Sequence, residues 1–254
     1  QTCALPIYRL ALVCSAEGDS LTHDADSANQ RGDTRSEERL RQRAREQFEQ
    51  AARYFKDAED LARDRAPAMY GTCIAFRLDA MTLAGEAAAA VSEFERTYAS
   101  NPRTLPVIRA AMIQAYLKLN HRDEAIRQLE MALQGASLSP DGLLRIGSVV
   151  SLGENYLDRP AIIGAIERVV AHMPAEAVEP TQRLRGECAR LLIEDGEVER
   201  ALEMIKPIEE QAGEDTNERR IALLLRSQAL KAKGEIDESV AILEKLLAKD
   251  PDYA

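Results

Sequence analysis

The stretch that decides the fold is GEIDESVAILEKLLAKDP, residues 234 to 251. Gly234-Glu235 is a turn signal, because glycine takes the left-handed backbone conformation that ends a helix without strain. Ser239 follows as a small residue, and Leu243 lies one helical turn later on the same face. Pro251 cannot continue a helix and closes the unit. The same order recurs upstream. Asn120-His121 precedes Ala125 and Leu129 in NHRDEAIRQLEMAL, residues 120 to 133. Gly196-Glu197 precedes Ala201, Ile205 and Ile208, and Gly85-Glu86 precedes Ala90, Phe94 and Asn101-Pro102.

The small residue sets the register. Ala90 and Ala125 are 35 residues apart, Ala201 and Ser239 are 38 apart, and Ala125 and Ala201 are 76 apart, or two units. In the middle unit Ile162 takes the small slot, within PAIIGAIERVV, and the turn from Gly153 to Arg159 is longer. A small side chain lets the second helix approach the first closely, and the apolar residue one turn later fills the seam. No segment from Ser36 onward alternates with the period of a strand.

These residues resemble the tetratricopeptide repeat, a helix-turn-helix unit of about 34 residues. The resemblance runs from roughly Pro67 to Pro251. The Trp usual near the start of the first helix is missing throughout. The resemblance implies an all-α fold: a right-handed α-solenoid of about five tetratricopeptide-like repeats over residues 67–254. It also implies a non-enzymatic scaffold that binds a protein or peptide in a concave groove lined by the first helices. Mapped from the register, the groove residues are Asp79, Thr82, Gln114, Lys118, Arg183, Arg190, Gln228 and Lys231. The last four are basic or amide-bearing, so an acidic or carboxylate-bearing segment is the expected partner. Ala75 and Ala110 stand where the family's carboxylate-clamp Lys is needed, so recognition of chaperone tails is not expected. Two alternatives remain: the docking or regulatory arm of a larger enzyme, and a structural spacer.

Composition limits the chemistry. The 254 residues carry 43 acidic and 33 basic side chains, a formal charge of −10, which repels nucleic acid and anionic membrane. No stretch of 18 apolar residues exists to span a membrane. His23, His121 and His172 have no ligand-spaced Cys, Asp or Glu on one helix face, and no HExxH is present. Cys73 and Cys188 fall on the first helices of different repeats and read as free, buried thiols. There is no phosphate loop and no GxSxG. No catalytic residue, metal or cofactor is expected.

The ends read differently. Residues 1–35 are expected to be a disordered lead. Within it, QTCALPI, residues 1–7, resembles the translation of a sequencing-adapter read. YRLALVCSA, residues 8–16, reads as the tail of a truncated signal peptide or as a short lead-in. The former would make the protein exported or periplasmic; otherwise it is cytoplasmic. Residues 17–35 are polar and nearly free of apolar side chains, which reads as a linker. Residues 36–66 predict one long charged amphipathic helix, N-capped by Ser36, with an apolar stripe of Phe48, Ala51, Ala52, Phe55 and Ala58. Asp250 to Ala254 reads as the start of a further unit, so the chain is expected to be a fragment.

Overall fold

The computed structural model describes residues 4–64, 66–100, 106–138, 142–213 and 216–249. The expected stops at Pro102 and Pro251, and Cys3, lie outside them. Among the described residues all regular structure is helical. The helices are α1 (Ala4–Gln30), α2 (Thr34–Ala62), α3 (Pro67–Leu83), α4 (Ala87–Thr97), α5 (Pro106–Lys118) and α6 (Arg122–Ser137). They continue with α7 (Gly142–Glu154), α8 (Arg159–His172), α9 (Val178–Glu194), α10 (Val198–Gln211), α11 (Asn217–Lys233) and α12 (Ile236–Lys249). By internal contacts the chain divides into two compact units, Gln1–Ala132 and Leu133–Ala254.

The helices come in pairs, and one turn chemistry closes most of them. Backbone φ is positive at Gly85 (93°), Asn120 (60°), Gly196 (79°) and Gly234 (90°). At each turn the next residue donates its amide to the carbonyl five positions back: Glu86 to Met81 at 2.8 Å, His121 to Tyr116 at 2.8 Å, Glu197 to Leu192 at 2.8 Å and Glu235 to Leu230 at 2.9 Å. This is the Schellman closure of a helix C-terminus, which satisfies carbonyls the helix itself leaves unpaired. The α7–α8 turn lacks it. There Asp158 caps α8 by accepting the Ala161 amide at 3.0 Å.

The register residues lie in the seams. Ala90, Ala125 and Ala201 are fully buried, as are Phe94, Leu129 and Ile162, and Ile205 is nearly so. The close approach is direct at α11–α12. Ser239 Oγ donates to the Ser227 carbonyl at 2.9 Å, and the two hydroxyls are 2.9 Å apart. A larger residue at 239 would push those helices apart.

The disordered lead expected over residues 1–35 is not what the structure has. Over its described residues the lead is α1, which packs along α2. Ala11, Gly18, Leu21, Ala25 and Ala28 recur at heptad-like spacing and are buried; Ala11 packs with Ala51 and Phe55 of α2, and Leu21 with Ala44 and Phe48. Residues 8–16 form part of this helix: Tyr8 meets Phe55 edge-on at 5.8 Å between centroids, and Phe55 stacks on Phe76 at 5.5 Å. The turn between α1 and α2 is the same device as in the later pairs. Gly32 has φ 74°, and Asp33 donates its amide to the Ala28 carbonyl at 3.0 Å. Asp33, not Ser36, is the N-cap of α2, accepting the Ser36 amide at 3.0 Å.

At Gly18 the Phe48 ring of α2 packs directly over the α1 backbone. A Cβ built there would lie 2.6 Å from Phe48 Cε1, inside any real contact distance. Gly18→Ala should therefore destabilise the protein by about 1–3 kcal/mol, although alanine is the better helix former. Urea unfolding followed by circular dichroism checks this, and Ala16→Gly on the exposed face provides the propensity control.

Three helices of the first unit share a buried ionic network. Arg77 of α3 donates through Nε to Glu59 Oε2 of α2 at 2.8 Å, and its two terminal nitrogens grip both oxygens of Glu93 on α4. Lys56 Nζ reaches the other Glu59 oxygen at 3.0 Å. Glu59 is 2% exposed and Arg77 5%. A second buried guanidinium, Arg109 of α5, has no carboxylate partner among the described residues. It donates to the Gln128 side-chain oxygen and the Ala99 carbonyl, each at 3.0 Å, and lies 5.8 Å from the centroid of the Phe94 ring.

Candidate protein-binding cleft

The second unit holds a cavity of about 170 Å³ between α9, α10 and α11. From α9 come Glu179, Gln182, Arg183, Gly186, Glu187 and Arg190. Their spacing of three and four residues puts all six on one helix face. From α11 come Glu218, Ile221 and Leu225, and α10 contributes Ile208. Gly186 opens the cavity because it places no side chain there. A Cβ at that position would make ordinary contact with Leu225 Cδ1 at 3.8 Å.

Two features distinguish this cavity. Its floor is apolar, made by Ile208, Ile221 and Leu225. Gln182 lines it, is only 5% exposed, and makes no hydrogen bond to the protein among the described residues. Its amide is not sealed off from solvent, so a guest entering the cavity can pair with it. A backbone amide pairs with a Gln side chain in both directions, donor to acceptor.

The charges around the cavity differ from the basic groove expected. Arg190 donates to Glu187 at 3.2 Å, to Glu194 at 2.8 Å and to Glu154 of α7 at 3.0 Å. Three carboxylates around one guanidinium leave it little attraction for a fourth. Arg183 stays available, but Glu179 and Glu218 line the same cavity and have no ion-pair partner among the described residues. An acidic segment gains little here.

The other expected groove residues are dispersed. Thr82 is buried and donates its hydroxyl to the Leu78 carbonyl at 2.9 Å, so it packs inside the fold. Asp79 is partly buried on α3, within electrostatic reach of Asp19 on α1. Gln114 is partly buried, with its Oε1 unpartnered, and Lys118 is exposed at the end of α5. Gln228 and Lys231 are exposed on α11 but do not line the cavity. Only Arg183 and Arg190 of the eight are brought together there. Gln182, Gly186, Ile221 and Leu225 lie outside the set that the register marks. A glycine inside an amphipathic helix is the readable signal for Gly186.

Asp79 carries a pH consequence. Burial pushes its carboxyl up to about 6, and the nearby Asp19 carboxylate adds to the rise. A carboxyl raised in the folded state opposes folding once ionised. Its cost is full above about pH 6 and disappears as pH falls towards the ordinary carboxyl value. Asp79→Asn should raise stability at pH 7 by about 1–2 kcal/mol and make no difference at pH 4. Equal effects at both pH values would show that Asp79 is not the titrating group.

Among the described residues no group of three or more His, Cys, Asp or Glu could hold a metal ion. Cys73 and Cys188 are buried free thiols, pushed by burial to about 11 and about 12 respectively, so neither ionises near neutral pH. Among the described residues no helix is long and apolar enough to cross a membrane.

Helix pairs closed by one turn type and seated through small residues define an all-helical protein built of repeated helix pairs. No family model matches the chain, and no curated protein matches its sequence. Solved structures do resemble it. BtubC from P. vanneervenii is 15% identical, with a TM-score of 0.42 over 82% of this chain and 92% of that one. A Podosopora anserina putative kinesin light chain with nearly identical TPR-like repeats is 14% identical, with a TM-score of 0.35 over 93% of this chain and 97% of that one. A point variant of that light chain is 17% identical, with a TM-score of 0.33 over 91% of this chain and 92% of that one.

Proposed function

We propose that the protein is a non-enzymatic interaction scaffold that binds an extended protein segment in the cleft between α9 and α11. An apolar side chain of the segment seats against Ile208, Ile221 and Leu225, and Gln182 pairs with the backbone beside it. The observation that carries this reading is an apolar cavity with Gln182, which makes no hydrogen bond among the described residues, on its wall. The mode is recognition by a pocket for one anchor plus main-chain hydrogen bonding. Arg183 stands ready to pair a single carboxylate next to the anchor.

A random-peptide library displayed on phage and selected on the whole protein tests this. Enriched peptides should share an apolar position and lose at least tenfold in affinity against Gly186→Leu, which fills the cavity, and against Ile221→Glu. Circular dichroism confirms that both variants are folded. Failure to enrich any peptide, or enriched peptides that bind both folded variants as tightly as the parent, would overturn the proposal.

A further inference from the structure

The α11–α12 pair repeats the ionic site of α3–α4 with one carboxylate missing. Gly234 and Ser239 stand 149 residues after Gly85 and Ala90. In that register Arg226 of α11 takes the place of Arg77, and Ile242 of α12 takes the place of Glu93. Each arginine pairs with a carboxylate from the second helix of the preceding pair: Arg77 with Glu59 of α2, and Arg226 with Glu209 of α10 at 2.9 Å. Arg77 also holds both oxygens of Glu93. Ile242 offers Arg226 no such partner. Only Nη1 of Arg226 is engaged, by Glu209, so its Nε and Nη2 make no hydrogen bond among the described residues. Its side chain is 44% exposed, against 6% for Arg77.

Arg226 and Ile242 line a cavity of about 380 Å³. Leu223, Ala241 and Ile242 give it an apolar wall. Its charged groups are Arg219, Arg226 and Lys245 against Glu209 and Glu238. Glu209 is already engaged by Arg226, and Arg219 gives a terminal nitrogen to the Glu209 backbone carbonyl. Lys245 has no ion-pair partner among the described residues. Outside the wall, Glu210 pairs with Lys206 at 3.8 Å, and Arg220 follows Arg219. Asp237 and Glu244 lie about a quarter turn of α12 from the row of Glu238, Ala241 and Lys245. The cavity itself is therefore cationic, although the chain as a whole is acidic.

We propose that this cavity binds a small aliphatic carboxylate. The adjacent Nε–H and Nη2–H of Arg226 form an edge that matches the two oxygens of a carboxylate. Lys245 adds a second positive charge, and the aliphatic body lies against Leu223, Ala241 and Ile242. The α3–α4 site is the precedent within the same chain. There one guanidinium holds Glu59 and Glu93 together, with Lys56 beside them.

Methyl NMR titration of the whole protein with butyrate, at neutral pH and fixed ionic strength, tests this. The Leu223 and Ile242 methyl signals should shift and saturate. 1-Butanol, with the same chain length and no charge, should give no saturating shift. Arg226→Gln should weaken butyrate binding at least tenfold. Ile242→Glu puts a carboxylate where α4 carries Glu93 and should abolish binding, read at Leu223. Ile242→Gln, of the same size without the charge, should keep it. Circular dichroism confirms that each variant is folded. Shifts that rise without saturating, 1-butanol that binds as tightly as butyrate, or butyrate binding that survives Ile242→Glu would overturn the proposal. So would sulfate that saturates the same signals more tightly than butyrate, since the cavity would then take anions without regard to class.

Discussion

Arg77→Ala should cost about 3–5 kcal/mol of stability, among the largest effects of any single change in the chain. The reason is what it leaves behind. Glu59 is 2% exposed and takes its closest charged hydrogen bond, 2.8 Å, from Arg77. Without the guanidinium it keeps only Lys56, an ammonium on a half-exposed side chain at 3.0 Å. A buried carboxylate with its main partner removed must hold its charge in a poorly polarisable site or take up a proton. Glu93 is better placed, because it is partly open to water. Replacing both buried partners, as in Glu59→Leu/Arg77→Met, should recover most of the loss, since neither charge then needs solvation. Urea unfolding of the single and double variants measures the coupling. The acid limb supplies a second readout. Hydrogen bonds from Arg77, and its charge, hold the Glu93 carboxyl below its ordinary value. A carboxyl lowered by folding stabilises the protein above its unfolded pKa, and the contribution disappears as pH falls through the folded value. Arg77→Ala should flatten that part of the stability curve.

Phe94→Ala should destabilise by a similar amount, about 3–5 kcal/mol, for an apolar reason. The ring is fully buried in the seam position of α4. Its removal deletes the contact one turn beyond Ala90 and leaves a void that the rigid helix pair cannot close. It also exposes the problem of Arg109. That guanidinium is 5% exposed, has no carboxylate partner among the described residues, and relies on the Phe94 ring and neutral acceptors. Losing the ring face removes a cation–π contact of about 0.5–2 kcal/mol. The double variant Phe94→Ala/Arg109→Met should therefore be no less stable than Phe94→Ala alone. A double variant much weaker than the single would show that Arg109 contributes through contacts other than the ring.

The repeats were legible because each rests on local chemistry that a single sequence displays. A turn residue, a small residue five positions on and an apolar residue nine positions on fixed the seams at Ala90, Ala125, Ala201 and Ser239. The first pair was not legible for the same reason. Gly32-Asp33 carries the turn signal, but Glu37 and Arg41 stand where the small and apolar residues belong. Between residues 17 and 30, α1 packs through Gly18, Leu21, Ala25 and Ala28, a stripe whose small side chains add little to any hydropathy pattern. On that stretch the apolar bulk comes mainly from α2, whose Phe48 packs over Gly18. The ionic network was invisible too, because nothing around Arg77 in the sequence points to carboxylates 18 and 16 residues away. The cleft was half legible. The register located its helices, but a count of basic residues along α9 and α11 could not show that Arg190 is already surrounded by Glu154, Glu187 and Glu194.

The most direct test is a methyl NMR titration of the whole protein, labelled at Ile and Leu, with a peptide selected on it. The methyl signals of Ile208, Ile221 and Leu225 should shift together and saturate together, while those of Ile113 and Leu129 in the other unit stay in place. Binding without shifts at Ile208, Ile221 and Leu225, or shifts centred on the first unit, would contradict the assignment of the α9–α11 cleft as the place where this scaffold holds its partner.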